Sequence, residues 1–475
     1  MAYAFLEQGA QMTSDTIVAI ATAPGRGAIG VIRISGPAAQ AVMLAVCGRS
    51  LTPRVATHLS FLDQEQQAID DGLAIFFPGP HSYTGEDVLE LQGHGGPGVL
   101  SLVLQRCLAI DSDDVQKACG SRIRLATPGE FTQRAFLNDK LDLAQAEAVA
   151  DLIDAGSERA AKSALASLQG RFSQLIHELE DKMIDLRMRV EACLDFPEED
   201  IEFIAREGVA QKLSDIGRLL SQIQASAHRG AVLREGLRVV LVGAPNVGKS
   251  SLLNALAEQD VALVTDIAGT TRDRIVQEIV LDGVPIHVID TAGLRETHDI
   301  VERLGIERTW KEIEQAQVVL LLQDASGKIS SDNDLEGLVL AKAASRRSVI
   351  RVFNKADLLS VPLPQGAPSG QLEHQVWISA KTGQGLDRLR QLLLSLAGWS
   401  GDGASGVFSA RARHLDALSR AQAQTSAAME HLRGQELELL AECLRQAQTA
   451  LSEITGEFSP DDLLGEIFGR FCIGK

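Results

Sequence analysis

The sequence predicts a multidomain protein that combines α/β and all-α parts, and three observations support this prediction. The chain has 475 residues, more than one hydrophobic core usually holds, so two or three domains are expected. Short β-rich runs with Gly and Pro fill the first part, and Ala- and Leu-rich helical stretches follow. Strand-like runs that alternate with helices then begin near Leu237, which is typical of a layered α/β domain.

The first region, residues 14–130, predicts a compact α/β unit because short β-branched runs lie between Gly and Pro residues. The strand-like runs are Thr16–Ala21, Gly30–Ile34, Leu73–Phe77 and Val88–Leu91. From about Glu130 the composition turns to Ala, Leu, Gln and Glu, which favours long amphipathic helices. These helices are predicted over Leu141–Leu179, Lys182–Asp195 and, after the interruption at Pro197, Ile201–His228.

The third region predicts a mostly parallel, doubly wound sheet. Arg238–Val242 is an unbroken β-branched run that leads into a Gly-rich turn, and helical segments separate the later strand-like runs. Those runs are Ile279–Leu281, Ile286–Ile289, Val318–Leu322, Val349–Phe353 and Val376–Ile378. Ser400–Gly406 has the composition of a flexible linker, and helical composition returns from Arg411 onward. We therefore expect an α/β domain inserted into a helical domain, with segments 1–130, 131–234, 235–397 and 398–475.

Composition excludes several classes of protein. Lys and Arg total 45 against 63 Asp and Glu, a net charge of −18, so neutralising a nucleic-acid backbone across the whole surface is excluded. A local basic patch or a partner remains possible for RNA. No apolar run reaches the length of a membrane span, and the first residues lack a signal-peptide pattern. The six Cys residues form no C-x-x-C pair, so we expect reduced thiols, no zinc site and a cytoplasmic location.

The strongest motif is the phosphate loop of a nucleotide-binding protein. Gly243–Ser250 matches G-x-x-x-x-G-K-[ST] directly after a predicted strand and before a predicted helix, and that context argues against an incidental turn. Glycines let backbone N–H groups approach phosphate oxygens, and the helix N-terminus adds partial positive charge. Lys249 can bridge the β- and γ-phosphates, and the Ser250 hydroxyl can bind Mg²⁺.

Three further motifs follow in the order of a guanine-nucleotide domain. Asp290–Gly293 ends a strand, where a carboxylate can reach Mg²⁺ through water and a glycine N–H can sense a γ-phosphate. Asn354–Asp357 follows the strand-like run Val349–Phe353. The Asp357 carboxylate can accept hydrogen bonds from the ring N–H and the exocyclic amine of guanine. Adenine has no such pair of donors, so ATP would leave a buried Asp357 unpaired. Ser379–Lys381 can close over the base. The ordered set resembles the nucleotide domain of the translation-factor-related GTPases.

The residues around the γ-phosphate differ from those of many regulatory GTPases. Leu294 stands where those proteins carry the Gln that orients the attacking water, so another residue must orient it. Asn246 offers an oxygen donor, and the polar loop Thr265–Asp273 offers carbonyl groups for a hard monovalent cation. On the residues alone, cation binding by Asn246 and a structural bond to the loop backbone are equal alternatives.

Over residues 14–475 the chain resembles the MnmE (TrmE) family of tRNA-modification GTPases. The resemblance rests mainly on strings outside the general nucleotide motifs, which are far more specific than a phosphate loop. They are Thr16–Ala19, Pro24–Gly27, Ser82–Asp87, His94–Gly96, Pro128–Thr132, Arg134–Leu143 and Phe471–Lys475. A polar stretch at residues 109–122 and the first dozen residues depart from the family pattern, and neither touches a matched motif.

The resemblance implies an N-terminal domain similar to tetrahydrofolate-binding domains, which mediates a homodimer, then a discontinuous helical domain and an inserted P-loop GTPase domain. It implies K⁺-stimulated GTP hydrolysis. It also implies a partner, an FAD-containing MnmG-family protein, in a heterotetramer or larger complex that acts on tRNA. The implied reaction adds a carboxymethylaminomethyl or aminomethyl group to the 5-carbon of the wobble uridine, with 5-formyl- or methylene-tetrahydrofolate as the one-carbon source.

The family's functional positions fall on named residues of this chain. Glu302 would orient water, with Lys249 and Asn246 at the phosphates. On the residues alone, Glu302 is better interpreted as a helix N-terminal dipole partner, and the resemblance reverses that preference. GTP contacts are expected from Asn246, Val247, Gly248, Lys249, Ser250, Ser251, Thr265, Asp266, Ile267, Ala268, Gly269, Thr270, Thr271, Asp290, Thr291, Ala292, Gly293, Asn354, Lys355, Asp357, Ser379, Ala380 and Lys381. The implied metal ligands are Ser250 and Thr271 for Mg²⁺, and Asn246, Thr265, Ile267 and Thr270 for K⁺. The implied folate site is Arg33, Glu90, Lys140 and Lys475, and nearby Cys472 is a reactive thiol or a packed one.

Two other functions remain open on the sequence. One is a regulatory GTPase switch, for example in ribosome assembly or signalling, without modification chemistry. The other is a folate-binding protein in which the GTPase domain acts only as a sensor. The folate-type first domain and the Phe471–Lys475 tail favour the modification role, because a ribosome-assembly GTPase is expected to carry a basic RNA-binding module.

Overall fold

The computed structural model describes residues 15–110, 122–195, 208–259, 276–290, 316–327, 348–359, 375–399, 407–456, 461–469 and 471–474. The chain divides into two compact units. The first holds residues 1–150 and 449–475, and the second holds residues 151–448. The described helices are α1 (Ala39–Cys47), α2 (Pro97–Leu108), α3 (Glu130–Leu137), α4 (Leu143–Ile153), α5 (Glu158–Leu168), α6 (Arg171–Asp195), α7 (Val209–Glu235), α8 (Lys249–Gln259), α9 (Leu386–Leu396), α10 (Ala412–Gly434), α11 (Leu437–Thr455) and α12 (Asp461–Gly469).

The first unit is built on a six-stranded sheet with the order β3-β4-β5-β2-β1-β6. Its strands are β1 (Thr16–Ile20), β2 (Ile29–Ser35), β3 (Thr57–Leu62), β4 (Ala68–Phe77), β5 (Val88–His94) and β6 (Ile123–Leu125). Neighbouring strands are antiparallel except β1 and β6. The four strand-like runs named from sequence are confirmed. β3 and β6 were not among them, because β3 interleaves His58 and Ser60 with its apolar residues and β6 has three residues.

Period-two alternation assigns the faces of this sheet. Ile32 and Leu89 lie on one face and pack in a buried cluster with Val42 of α1 and Val103 of α2. On the opposite face Ile17 packs with Phe131 of α3. The end of the chain belongs to the same unit, because α12 and Phe471 join the cluster formed by the start of α4. This arrangement brings the C-terminal tail and the first sheet into one folded body.

The predicted long helix over 141–179 is wrong, because the structure divides it into α4, α5 and the start of α6. Gly156 lies in the first break. Gly170 lies in the second with a φ of 83°, the left-handed conformation that ends helices. Helical composition alone did not locate these breaks. The predicted helix Lys182–Asp195 is helical and forms the second half of α6. Of the predicted helix Ile201–His228, residues 201–207 lie outside the described part of the chain. The rest belongs to α7, which continues to Glu235 and ends at Gly236.

The second unit contains the predicted doubly wound sheet, with the order β12-β11-β10-β7-β9-β8. Its strands are β7 (Leu237–Gly243), β8 (Val276–Leu281), β9 (Val284–Asp290), β10 (Val318–Asp324), β11 (Ser348–Asn354) and β12 (Gln375–Trp377). All neighbours are parallel except β8 and β9. Both faces are buried, and Val318–Leu322 is buried at every position, as a central parallel strand requires. The fold class predicted from sequence is confirmed.

Every helix in the described part of the chain is too short or too polar to cross a bilayer.

Candidate functional site

The phosphate loop lies between β7 and α8, as its motif predicts. Asn246 and Gly248 both have positive φ, 62° and 98°, and these left-handed residues shape the tight turn. A side chain at Gly248 would collide with the amide group of Asn354. Glycine is therefore required there by both backbone conformation and space.

Lys249 bends back over this loop. Its Nζ donates to the carbonyl oxygens of Gly243, at 2.8 Å, and Ala244, at 3.3 Å. Ser250 and Ser251 follow in the first turn of α8. A lysine ammonium, a serine hydroxyl and the N–H groups of a helix N-terminus thus surround one loop, a donor set that fits phosphate oxygens and a Mg²⁺ ion bound to them.

Asn354, at the end of β11, connects the phosphate loop to the Ser379–Lys381 loop. Its Nδ2 donates to the Val247 carbonyl oxygen at 2.8 Å, and its Oδ1 accepts from the Ala380 N–H at 3.0 Å. The residue is 2% exposed. One buried amide therefore holds together three segments that sequence analysis assigned to nucleotide binding.

Asp357 and Ser379 are also brought together. The Ser379 hydroxyl donates to Asp357 Oδ1 at 2.6 Å. Asp357 and Lys381 are exposed, whereas Ser379 is buried. The Ser379 hydroxyl thus holds the Asp357 carboxylate in place, and a nucleotide base that binds against this carboxylate would bury it.

Asp324, which sequence analysis did not identify, supports this edge of the sheet. Its side chain, 2% exposed, accepts from Lys355 Nζ at 3.0 Å. The Ser326 N–H and hydroxyl also donate to Asp324, at 2.9 and 2.6 Å. Burial would raise the Asp324 pKa, but the bonds from Ser326 and Lys355 outweigh it and the pKa is lowered. The available signal was an acid at the carboxyl end of the strand beside β11, where ligands of parallel sheets bind.

Several predicted residues lie outside the described part of the chain: Thr265, Asp266, Ile267, Ala268, Gly269, Thr270, Thr271, Thr291, Ala292, Gly293, Glu302 and Lys475. Asp290 ends β9, and its backbone is in register with Leu241 of β7. It is therefore beside the strand that leads into the phosphate loop, at the same edge of the sheet.

The first unit pairs two of the residues expected at the folate site. Arg33 and Glu90 are partners in the β2–β5 register, and Arg33 Nη2 lies 2.9 Å from Glu90 Oε1. The Arg33 guanidinium also lies 5.6 Å from the ring centre of Tyr83 and 5.8 Å from that of Phe131. Burial raises the Tyr83 pKa. A planar cation and a carboxylate beside two aromatic rings fit a flat, polar heterocycle with an anionic tail.

The other two folate positions belong to the same unit. A Cβ atom built on Gly85 would lie 3.4 Å from Lys140 Cε, so Lys140 packs against the loop that carries Tyr83. Gly474 lies so close to β1 that a Cβ atom there would be 2.5 Å from the Ile20 carbonyl oxygen. Cys472 is exposed, which contradicts the packed-thiol alternative. Its carbonyl oxygen accepts from the Gly129 N–H at 3.4 Å.

A buried ion-pair network next to these residues was not identified from sequence. Glu130, 2% exposed, accepts from Arg124 Nη2 at 2.6 Å and from Arg134 Nη2 at 2.9 Å. Arg134 also pairs with Glu86 at 3.0 Å. Burial would raise the Glu130 pKa, but the bonds from Arg124, the Thr127 N–H and Arg134 lower it to about 2. The network fixes α3, which carries Phe131.

Comparison with known proteins places these observations in one family. The model described as "MnmE helical domain" matches residues 143–472, and the one described as "GTP-binding protein TrmE N-terminus" matches residues 16–140. The chain is 55% identical over 469 residues to the tRNA modification GTPase MnmE of Ralstonia nicotianae, covering 97% of this chain and 96% of the relative. It is 56% identical over 461 residues to the protein of the same name from Bordetella parapertussis, covering 97% and 99%.

Among solved structures, the chain is similar to an Era variant of Aquifex aeolicus bound to GDP and AlF4⁻. The two are 25% identical, and the match covers 39% of this chain and 66% of that one with a TM-score of 0.26. At that score the structural match carries no weight beside the sequence relatives.

Proposed function

Since this chain belongs to the MnmE family of tRNA modification GTPases, we propose that it hydrolyses GTP in the modification of tRNA wobble uridines. The observation that carries the GTPase part is the Asn354 amide, which bonds to Val247 and Ala380 at once. Purified protein should hydrolyse GTP in preference to ATP, and Lys249→Ala should abolish turnover. Equal turnover of ATP and GTP by the unmodified protein would contradict the proposal.

At the nucleotide, the chain's own groups have distinct tasks. Lys249 would move from the loop carbonyls to the phosphates, and its charge would offset charge that develops there. Ser250 and Thr271 would hold Mg²⁺, which draws charge from the phosphate oxygens when bound. Glu302 would orient the attacking water, the task that Leu294 has no polar group to perform.

We also propose that hydrolysis is stimulated by K⁺. Asn246, Thr265, Ile267 and Thr270 would hold the ion, and a bound K⁺ would offset phosphate charge as an arginine finger does. Asn246 has a left-handed backbone within the phosphate loop, at the position from which an amide oxygen can serve such an ion. GTP turnover should be faster in KCl than in NaCl, and Asn246→Ala should remove the difference. Equal rates in the two salts would exclude K⁺.

For the modification itself, we propose a folate site in the first unit. Arg33, Glu90, Lys140 and Lys475 would bind 5-formyl- or methylene-tetrahydrofolate, which supplies a one-carbon unit when bound. Cys472 would be the reactive thiol near it. The pairing of Arg33 with Glu90 beside Tyr83 supports this assignment, and Glu90→Gln should weaken folate binding in a titration.

The proposed assembly is a homodimer that acts with an FAD-containing MnmG-family partner, in a heterotetramer or larger complex, in the cytoplasm. On the sheet face that carries Arg33, Ile29 is 65% exposed and Leu73 is 38% exposed, which supports a protein contact there. Because the chain carries a net charge of −18, the partner or a local patch would contribute much of the tRNA affinity.

The product would be a carboxymethylaminomethyl or aminomethyl uridine. The domain segments proposed for this cycle are residues 1–130 for folate and dimerisation, 131–234 and 398–475 for the helical domain, and 235–397 for the GTPase. The alternative is a regulatory switch without modification chemistry, and analysis of tRNA nucleosides separates the two.

A further inference from the structure

The hairpin β8–β9 lies, along the chain, between two segments that sequence analysis assigned to nucleotide binding. Residues 260–275 precede β8, and Asp290–Gly293 begins at the end of β9. The two-residue turn Asp282–Gly283 has positive φ at both positions, 48° and 81°, as the tightest hairpin turns do. Because β9 is parallel to β7, this turn lies at the sheet edge opposite the phosphate loop.

The turn contacts the N-terminus of α5, in the helical part of the second unit. The Ser157 hydroxyl donates to the Gly283 carbonyl oxygen at 2.7 Å. The Arg159 side chain packs so closely on Gly283 that a Cβ atom there would collide with it. The Arg159 guanidinium also lies 5.4 Å from the ring centre of Trp399, which follows α9. We call this set, Ser157, Arg159 and Gly283, the hairpin contact.

The Ser157 hydroxyl has a second bond. It is the N-cap of α5, and its Oγ accepts from the Ala160 N–H at 3.1 Å. One hydroxyl therefore accepts from the first turn of a helix and donates to the hairpin. A displacement of the hairpin turn would break the bond from Ser157 to Gly283 and would perturb the cap of α5 that the same hydroxyl forms.

We propose that Ser157 is a positioning residue that couples the nucleotide state of the GTPase sheet to the helical part of the chain. The segments expected from sequence to respond to a γ-phosphate flank the β8–β9 hairpin along the chain, and their rearrangement would displace the turn. The hairpin contact converts that displacement into a change at the start of α5. The inference rests on the proposed GTPase function, and its hydrogen-exchange test is independent of tRNA chemistry.

The test is amide hydrogen exchange on the full chain with GDP or with a non-hydrolysable GTP analogue. The native protein should show an Ala160 exchange rate that differs about fivefold or more between the two nucleotides, the lower end of typical allosteric coupling. Ser157→Asp keeps an acceptor for the cap but cannot donate to Gly283, so the difference should vanish while α5 stays capped. Ser157→Thr keeps both bonds and should behave as native.

Lys162→Ala is the matched control, because this exposed residue of α5 pairs with Glu158 on the helix surface. Equal Ala160 exchange in the two nucleotide states of the native protein would overturn the inference. So would a nucleotide-dependent difference that survives in Ser157→Asp. A protein that binds neither nucleotide would instead contradict the proposed function, and nucleotide titration before the exchange experiment separates the two failures.

In cells, the same variants separate coupling from stability. Ser157→Asp should hydrolyse GTP within about twofold of the native rate while modified nucleoside per GTP hydrolysed falls about fivefold. An equal loss of both quantities would reduce Ser157 to a structural role and contradict the inference.

Discussion

At the residue scale, base selectivity depends on Asp357. Asp357 is exposed, and its carboxylate is held by the Ser379 hydroxyl. The ring N–H and the exocyclic amine of guanine can therefore approach this carboxylate. Asp357→Asn presents an N–H where guanine also presents donors, whereas xanthine presents a carbonyl oxygen. GTP affinity should fall by about two orders of magnitude and XTP affinity should rise, as measured by calorimetric titration. Unchanged preference for GTP would remove Asp357 from base recognition.

Asp324 would act on the nucleotide indirectly, through its ion pair with Lys355. Asp324→Asn preserves shape and the bonds from Ser326 but loses the ion pair with Lys355. Bonds to charged groups are worth about 1.5–3 kcal/mol, so nucleotide affinity should fall about tenfold. Asp387→Asn, an exposed acid in the first turn of α9, is the matched control. Equal affinities for the two variants would contradict a role for Asp324.

Among the residues, sequence identified those that belong to local motifs and missed those whose partners come from other strands. Lys249 and Asn354 were identified because their neighbours in sequence define them. Asp324 was not identified, because its role depends on β10 lying beside β11, and no single segment of the sequence shows which strands are neighbours. Glu130 was missed for the same reason, since its role depends on the ion pairs that Arg124 and Arg134 form with it in the folded chain.

At the element scale, α3 is held by the buried carboxylate of Glu130. Its pKa is lowered on folding from 4.5 to about 2, so its contribution to stability is complete above about pH 4.5 and is lost as pH falls toward 2. Glu130→Gln removes the charge that Arg124 and Arg134 share and leaves them with Asp15 and Glu86 as partners, and it should cost about 2 kcal/mol at neutral pH. Calorimetric unfolding across this pH range measures both effects.

The control for that experiment is Glu158→Gln, which removes an exposed ion pair with Lys162. It should leave the unfolding temperature unchanged, because solvent screens exposed pairs. A Glu130→Gln protein that unfolds at the native temperature at neutral pH would show that hydrogen bonding alone holds α3.

The strands of the second unit were largely predictable, because buried parallel strands are continuous apolar runs. The helices were less so. α5 begins after its N-cap Ser157 and ends before Gly170. A few local residues therefore separate α4, α5 and α6, and average composition over the stretch hides them. The Asp282–Gly283 pair was an available hairpin signal, and its contact with Ser157 could not be read from sequence because 126 positions separate the two residues.

At the scale of the whole molecule, we propose GTP hydrolysis in the second unit and one-carbon chemistry in the first. Each site is defined within its own unit, around Asn354 in one and Arg33 with Glu90 in the other. We propose the hairpin contact as one route by which nucleotide-driven motion reaches the helical part of the second unit.

The most direct test is mass spectrometry of tRNA nucleosides from a bacterial strain that lacks its own family member. The strain would express this chain with the FAD-containing partner that we propose for it, and the chain would be either unmodified or Asp290→Ala. We expect the unmodified chain to restore the 5-substituted wobble uridine, and we expect Asp290→Ala, expressed at the same level, not to restore it. Unmodified uridine in both strains would contradict the central claim and favour a regulatory switch.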